Sequence, residues 1–206
     1  MELEIAMTKL NIGLLAAIPM LALAGACAST DGPVRFDEAS VTSDSRFAEY
    51  EKVYIADVTY DASIAARDSG LASARFGATE RPVRERDLEA KADDLERVLK
   101  REIGKTKQIV RAPGDGVLTV SATITDLAAN QPTMADISQQ PSLSQDSVYT
   151  GKSTVSITLS ENGRTLATLS ESYQGDLNDN VGRPGIWQDA DRGFYFTANK
   201  IARYIS

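Results

Sequence analysis

The sequence predicts an α/β protein of the α+β type: a single small, mainly antiparallel sheet with two amphipathic helices packed on one face. Three observations carry that prediction. Residues 118–124 alternate apolar and hydroxyl side chains without a break, the period of a strand with one buried face. Two runs of similar alternation flank "ENG" at 161–163, the layout of a hairpin. Two further stretches, 87–104 and 189–205, repeat apolar residues every three or four positions, the period of a helix.

The N-terminal region has a different character. Residues 12–23 form an uncharged apolar run whose length suits the core of a signal peptide, and a spanning helix needs about 20 apolar residues. Glu2 and Glu4 sit where such signals carry positive charge; a start at Met7 leaves Lys9 as the only early charge. The segment "LAGAC" ends in Cys27, the single cysteine of the chain. It resembles a bacterial lipobox. The resemblance implies cleavage between Ala26 and Cys27 and acylation of the Cys27 thiol. Small side chains at Gly25 and Ala26 suit the peptidase, although Ala24 stands where leucine is most common. The alternatives are a buried structural cysteine or a plain secretory signal with "AxA"-type cleavage. Two or three acyl chains on one residue would anchor the protein in membrane lipid, where one chain holds only marginally. Ala28, a non-aspartate after the cysteine, implies by the same resemblance the outer membrane of a Gram-negative host, with the domain facing the periplasm. The expected organisation is therefore a signal peptide at 1–26, a lipidated N terminus and tether at 27–48, and one α/β domain at 49–206.

Within the domain, "EKVYIADVTY" at 51–60 is the first clear strand, rich in β-branched and aromatic residues. The following stretch to about residue 85 shows no period and reads as an irregular excursion with room for a short helix. In 87–104, Leu88, Ala92, Leu95, Leu99 and Ile103 form one stripe. Asp87 is expected to cap the start, and Gly104 to close the end in a left-handed conformation. A short strand, a "PGDG" turn at 113–116 and the long alternating strand follow. Residues 128–148 are a polar loop rich in glutamine, serine and proline. In the hairpin, a three-residue "ENG" loop pairs Ile157 with Ala167 and Val155 with Leu169. It keeps those residues on one face and leaves Leu166 on the wet one, with Gly163 in a bulge. Trp187 precedes the last helix, whose stripe is Phe194, Ala198, Ile201 and Ile205.

Chemistry-bearing patterns are sparse. The net charge is −7, so the chain gains no attraction to phosphate, and nucleic acid is not an expected partner. There is no histidine, which removes the commonest general base and metal ligand. A single cysteine permits no internal disulfide or thiolate zinc cluster. Asp176, Asn178 and Asn180 alternate as in a calcium loop, but Val181 replaces the glycine of position six and Trp187 the glutamate of position twelve. Asp93 and Asp94 point about 100° apart on a helix and do not converge. No catalytic residue, cofactor site or metal site is expected.

The strand "YEKVYIADV", the helix opening at Asp87, "VLTVSATITDLAANQP", the hairpin at "ENGRTLA", and Trp187 before the last helix together resemble a family of Gram-negative lipoproteins of unassigned function, domain of unknown function 3313. The resemblance covers about 48–205. It implies a lipid-anchored envelope domain and transfers no catalytic residues. The expected role is binding or assembly with an envelope protein partner. A carrier of a small apolar molecule is the alternative, and a histidine-free enzyme is a third class.

Overall fold

A computed structural model of the chain describes residues 34–42, 46–66, 83–130, 150–176 and 185–206. The chain divides into two units, of which the second, Pro33–Ser206, holds all the described elements. They are β1 (Glu38–Val41), a 3₁₀ turn (Phe47–Glu49), β2 (Lys52–Ile55), β3 (Thr59–Tyr60), α1 (Ser63–Ala66), α2 (Glu85–Ile103), β4 (Gln108–Val110), β5 (Val117–Ala128), β6 (Lys152–Glu161), β7 (Arg164–Gln174) and α3 (Gln188–Tyr204). The polar lead-in expected to serve as tether thus contributes β1.

The seven described strands form one sheet in the order β1-β7-β6-β5-β2-β4, with β3 also pairing with β5. It is mixed, which corrects the mainly antiparallel expectation. The pairs β1–β7, β7–β6 and β6–β5 are antiparallel, while β2 and β3 lie parallel to β5, and β4 parallel to β2. The physical reason is the strand–helix–strand order β2, α2, β4. A helix between two strands returns the chain to the starting end, so the second strand enters parallel to the first. The "PGDG" turn therefore joins no hairpin, because β2 lies between β4 and β5.

One sheet face is buried. Val53, Ile55, Leu118, Val120, Ala122, Ile124, Val155, Ile157, Leu159 and Leu169 point into it, all at most 3% exposed. α2 and α3 close it with Leu88, Leu95, Leu99, Ile103, Phe194, Ala198 and Ile201. The alternate positions Thr119, Ser121, Thr123, Thr158 and Thr168 remain partly or fully solvated. There are three described helices where two were expected. The third, α1, is one turn in the excursion, started by the Asp61 carboxylate accepting from the Ser63 amide at 2.8 Å.

Two local details depart from expectation. α2 begins at Glu85, so Asp87 lies in its first turn beside the positive end of the helix dipole and does not cap it. Gly104 is right-handed, at φ −64°; a Cβ there would meet the Lys100 carbonyl oxygen at 2.6 Å. Close approach to the backbone, rather than handedness, is what requires glycine.

The hairpin register differs as well. Glu161 pairs with Arg164, so the loop is the two residues Asn162 and Gly163, both with positive φ (49° and 79°). That is the turn whose twist matches a β-ribbon. The odd residue is taken up inside β7: Ser160 faces Thr165, whereas Leu159 faces Ala167. Leu166 is the inserted residue. It is 8% exposed, and its carbonyl accepts from the Thr42 amide at 2.8 Å. The bulge then sets Ile157 opposite Leu169, which restores the apolar face by a route other than a longer loop. A second bulge, at Thr125, carries Leu127 onto the buried face.

Candidate functional site

Polar side chains gather at both ends of the sheet. At the end where β5 finishes, Asp189 lies in the first turn of α3, fully buried. Its Oδ2 accepts from the Asn130 amide group at 2.5 Å and from the Gly151 amide at 2.9 Å. Asn130 returns the contact, its Oδ1 accepting from the Asp189 amide at 2.9 Å. The helix dipole favours the carboxylate at this position. Glycine is needed at Gly151, where a Cβ would sit 2.6 Å from Asn130 Oδ1. At Gly175 it would fall inside the Asp189 carboxylate. The backbone completes the knot, with Gly175 donating to the Gly151 carbonyl at 3.0 Å and Asn130 to the Ile186 carbonyl at 2.7 Å. The chain segments that bound 131–149 and 177–184 are thereby fastened at one point. Asp189 Oδ1 and Ser153 Oγ are buried without a hydrogen-bond partner among the described residues. The tight glycine contacts leave no room at the carboxylate, and the arrangement is a fastening.

At the opposite end, where the hairpin turns, a groove of about 580 Å³ is lined by Thr42, Arg46, Glu49, Tyr50, Gly116, Glu161, Arg164 and Leu166. Glu161 is held by two donors, the Tyr50 hydroxyl at 2.9 Å and the Gly116 amide at 3.1 Å. Gly116 offers that amide from a left-handed turn, φ 69°. Burial and the adjacent Glu161 carboxylate raise the Tyr50 hydroxyl above its ordinary pKa, so it stays protonated as a donor. Arg46 pairs with Glu49 at 3.1 Å. The Arg164 guanidinium, exposed at the rim, forms no hydrogen bond or ion pair among the described residues. This end can hold a hydroxyl- or carboxylate-bearing group: Arg164 supplies a planar fork of donors, Glu161 an acceptor fixed in place, and Tyr50 an aromatic wall.

Between helices and sheet the buried apolar side chains form one cluster. A cleft beside α2 and α3 measures about 210 Å³ and is lined by Asp94, Arg97, Val98, Asp191 and Phe194. Next to it Lys91, 7% exposed, pairs with Asp94 of its own helix at 2.7 Å and ties α2 to α3 through Asp191 at 2.6 Å. Burial opposes ionisation of Asp94, but hydrogen bonds from Lys91 and Arg97 outweigh it and hold its pKa below the ordinary value.

Of the residues singled out in the sequence, Ala26, Cys27, Asn178, Asn180 and Val181 lie outside the described residues. So does nearly all of the polar loop at 128–148. Asp176 follows β7, and Trp187 stands directly before α3, half-buried against the core. Among the described residues, no three histidine, cysteine, aspartate or glutamate side chains converge as metal ligands. No described helix is long and apolar enough to cross a membrane. Sequence reading passed over Asp189, Asn130, Glu161 and Arg164. The available signals were an aspartate in a first helical turn and charges flanking an Asn-Gly turn, both ordinary.

No curated protein matches the chain. Its fold is similar to solved structures at low identity. The PelC dodecamer from Paraburkholderia phytofirmans is 10% identical, with 80% of this chain and 96% of that chain covered and a TM-score of 0.43. Hypothetical protein CT253 from Chlamydia trachomatis is 9% identical, covering 75% and 96%, with a TM-score of 0.42. Protein XCC0632 from Xanthomonas campestris is 8% identical, covering 73% and 80%, with a TM-score of 0.40. A family model matches residues 39–201, nearly the whole described domain, and by that match the chain belongs to the family described as "Protein of unknown function (DUF3313)".

Proposed function

We propose that this protein is a lipid-anchored module of the cell envelope, held on the periplasmic side of the outer membrane through acylated Cys27, and that its domain works by binding an envelope partner. The supporting observation is the groove at the hairpin end. Its acceptor, Glu161, is fixed by Tyr50 and Gly116, and Arg164 stands beside it with its donors uncommitted among the described residues. Such a set recognises a polar, acidic or hydroxyl-rich surface. The reading assigns the domain no reaction.

One experiment tests both halves. The chain is expressed with labelled palmitate and captured from crosslinked membranes, beside Cys27→Ser and Arg164→Glu. The expected result is label on the wild type and on Arg164→Glu, none on Cys27→Ser, and a stoichiometric partner lost with Arg164→Glu. An unlabelled wild type removes the anchor. A partner retained equally by Arg164→Glu removes the groove as its site. A co-purifying apolar small molecule in place of a protein would favour the carrier reading.

A further inference from the structure

The flank of α3 beside β7 carries an aromatic line. Tyr195 and Phe196 are 42% and 49% exposed. Their ring centroids are 5.9 Å apart, and Phe196 lies 5.4 Å from Tyr173 on β7. One and two turns further along the same stripe come Lys200 and Tyr204. This second half is covered by the incoming N-terminal segment: the Phe36 ring packs edge-on against Tyr204 at 5.3 Å, with the Lys200 ammonium 5.1 Å from its centroid. Asp37 then accepts from the Ser172 amide at 2.7 Å, one residue from Tyr173. The chain therefore enters the fold beside the exposed aromatic pair.

That placement limits where the pair can face. Val34 is the first described residue, and seven peptide units separate it from Cys27. A fully extended chain of that length reaches at most about 25 Å. With Cys27 acylated, the entry point of the domain stays within that distance of the bilayer, and Phe196 lies only two helical turns, about 12 Å, from the Tyr204 that Phe36 covers. Tyrosine, an apolar ring with a polar edge, settles at the level of lipid headgroups, and the phenylalanine ring beside it adds apolar area. Exposed Arg35, beside the entry point, provides a cation for lipid phosphates.

We propose that Tyr195 and Phe196, with Tyr173 behind them, form a second contact with the membrane surface, so that the lipid anchor and the α3 face together fix the orientation of the domain. This rests on the anchor reading, and its test is arranged to fail separately. Acylation consumes the only native thiol, so an added cysteine is labelled uniquely. Asn199→Cys, beside both rings on α3, takes an environment-sensitive fluorophore; Thr168→Cys, on the wet sheet face, is the reference. Both are made in the full acylated chain and reconstituted in phosphatidylethanolamine–phosphatidylglycerol vesicles containing nitroxide lipids.

The expected result is blue-shifted, quenched emission at 199 and water-like emission at 168. Adding Tyr195→Ser and Phe196→Ser should restore water-like emission at 199, with far-ultraviolet dichroism and Cys27 acylation unchanged. Vesicle partitioning of the Cys27→Ser chain should fall about tenfold with the same pair of substitutions, the scale expected for losing two half-buried rings. Water-like emission at 199 on a chain that carries the acyl label overturns the docking and leaves the anchor standing. Absence of the label overturns the anchor and the docking together. A shift at 199 that appears without vesicles and grows with protein concentration overturns the proposal in favour of a second copy as the occupant.

Discussion

Replacing Asp189 by alanine should cost more stability than any exposed substitution in the protein. The carboxylate satisfies two buried donors, the Asn130 amide group and the Gly151 N–H. Neither is replaced by water once the side chain is shortened, because Asn130 is fully buried and Gly151 is buried beneath α3. Each buried donor left unpaired costs about 1–3 kcal/mol, and breaking a buried charged contact as a whole costs about 3–5 kcal/mol. Asp189→Asn is the discriminating partner. Its amide oxygen can take the place of Oδ2 and keep both hydrogen bonds, while its NH₂ becomes a new buried donor at the position of Oδ1, which has no partner among the described residues. The attraction of the charge to the helix dipole is lost, about 0.3–2 kcal/mol, and the new donor adds about 1–3 kcal/mol where it finds no acceptor. For a domain of this size the alanine variant should melt about 6–20 °C lower, at roughly 2–4 °C per kcal/mol. Thermal and urea unfolding of the acylated chain in detergent, followed by far-ultraviolet circular dichroism, reads both variants. An alanine variant within about 1 kcal/mol of wild type would refute the reasoning, since surface changes are of that order. An asparagine variant as damaging as alanine would shift the weight from the accepted hydrogen bonds to the lost charge and the new buried donor together.

Gly175→Ala should be at least as harmful as Asp189→Ala, because the added methyl overlaps the carboxylate; retention of a wild-type melting temperature would contradict the packing described. Gly163→Ala should cost about 1–2 kcal/mol, the strain of a left-handed conformation at φ 79°, while Gly114→Ala, with nothing within 4 Å of its added Cβ, should stay within about 0.5 kcal/mol in the same unfolding assay. Acid should weaken the fold through Glu102. Hydrogen bonding by Lys105, opposed by burial and reinforced by Arg101, holds this 2%-exposed carboxyl below its ordinary pKa. A folded pKa below the unfolded one gives stability that is complete above the unfolded value, about 4.3, and is lost as pH falls through the folded value. The urea midpoint should therefore hold from neutrality to about pH 5 and fall below it. Glu102→Gln should flatten that acid limb; an unchanged slope would assign it to other carboxylates, of which Asp94 is the next.

The elements visible in the sequence are those whose signal lies within one element. The stripe of Leu88, Leu95 and Leu99 and the alternation from Leu118 to Ile124 repeat a single geometric rule often enough to identify α2 and β5. The hairpin shows where such rules stop. Asn162-Gly163 marks the turn, but apolar alternation is satisfied whether an extra residue sits in the loop or in the strand, and the chain places it at Leu166. The parallel half of the sheet depends on which strand the chain meets after α2, a choice made by packing between distant segments. The Asp189 fastening is further out of reach. Asparagine, glycine and aspartate are ordinary loop and cap residues, and their meaning here comes from contacts across 59 and 38 positions. Glu161 and Arg164 are likewise unremarkable beside a turn until Tyr50, 111 residues before Glu161, closes the groove.

The two polar ends are tied to different kinds of consequence. β5 runs between them for twelve residues, about 40 Å at the usual rise of a strand. Sites separated by more than about 10 Å, with no shared partner, have independent energetic effects. Asp189 and Asn130 touch neither Tyr50 nor Glu161, so a substitution at the fastening should change stability without altering recognition at the groove, provided the folded state remains populated. Arg164→Glu should do the reverse, at a stability cost of no more than about 1 kcal/mol: the Arg164 guanidinium is exposed and makes no hydrogen bond or ion pair among the described residues, while the new carboxylate faces Glu161 across the turn. The Asp189→Asn, Arg164→Glu double variant should then combine the melting temperature of the first with the capture defect of the second. A marked departure from that sum would mean that the ends communicate through β5 and its neighbours, and would turn the fastening from a structural device into a part of the binding mechanism.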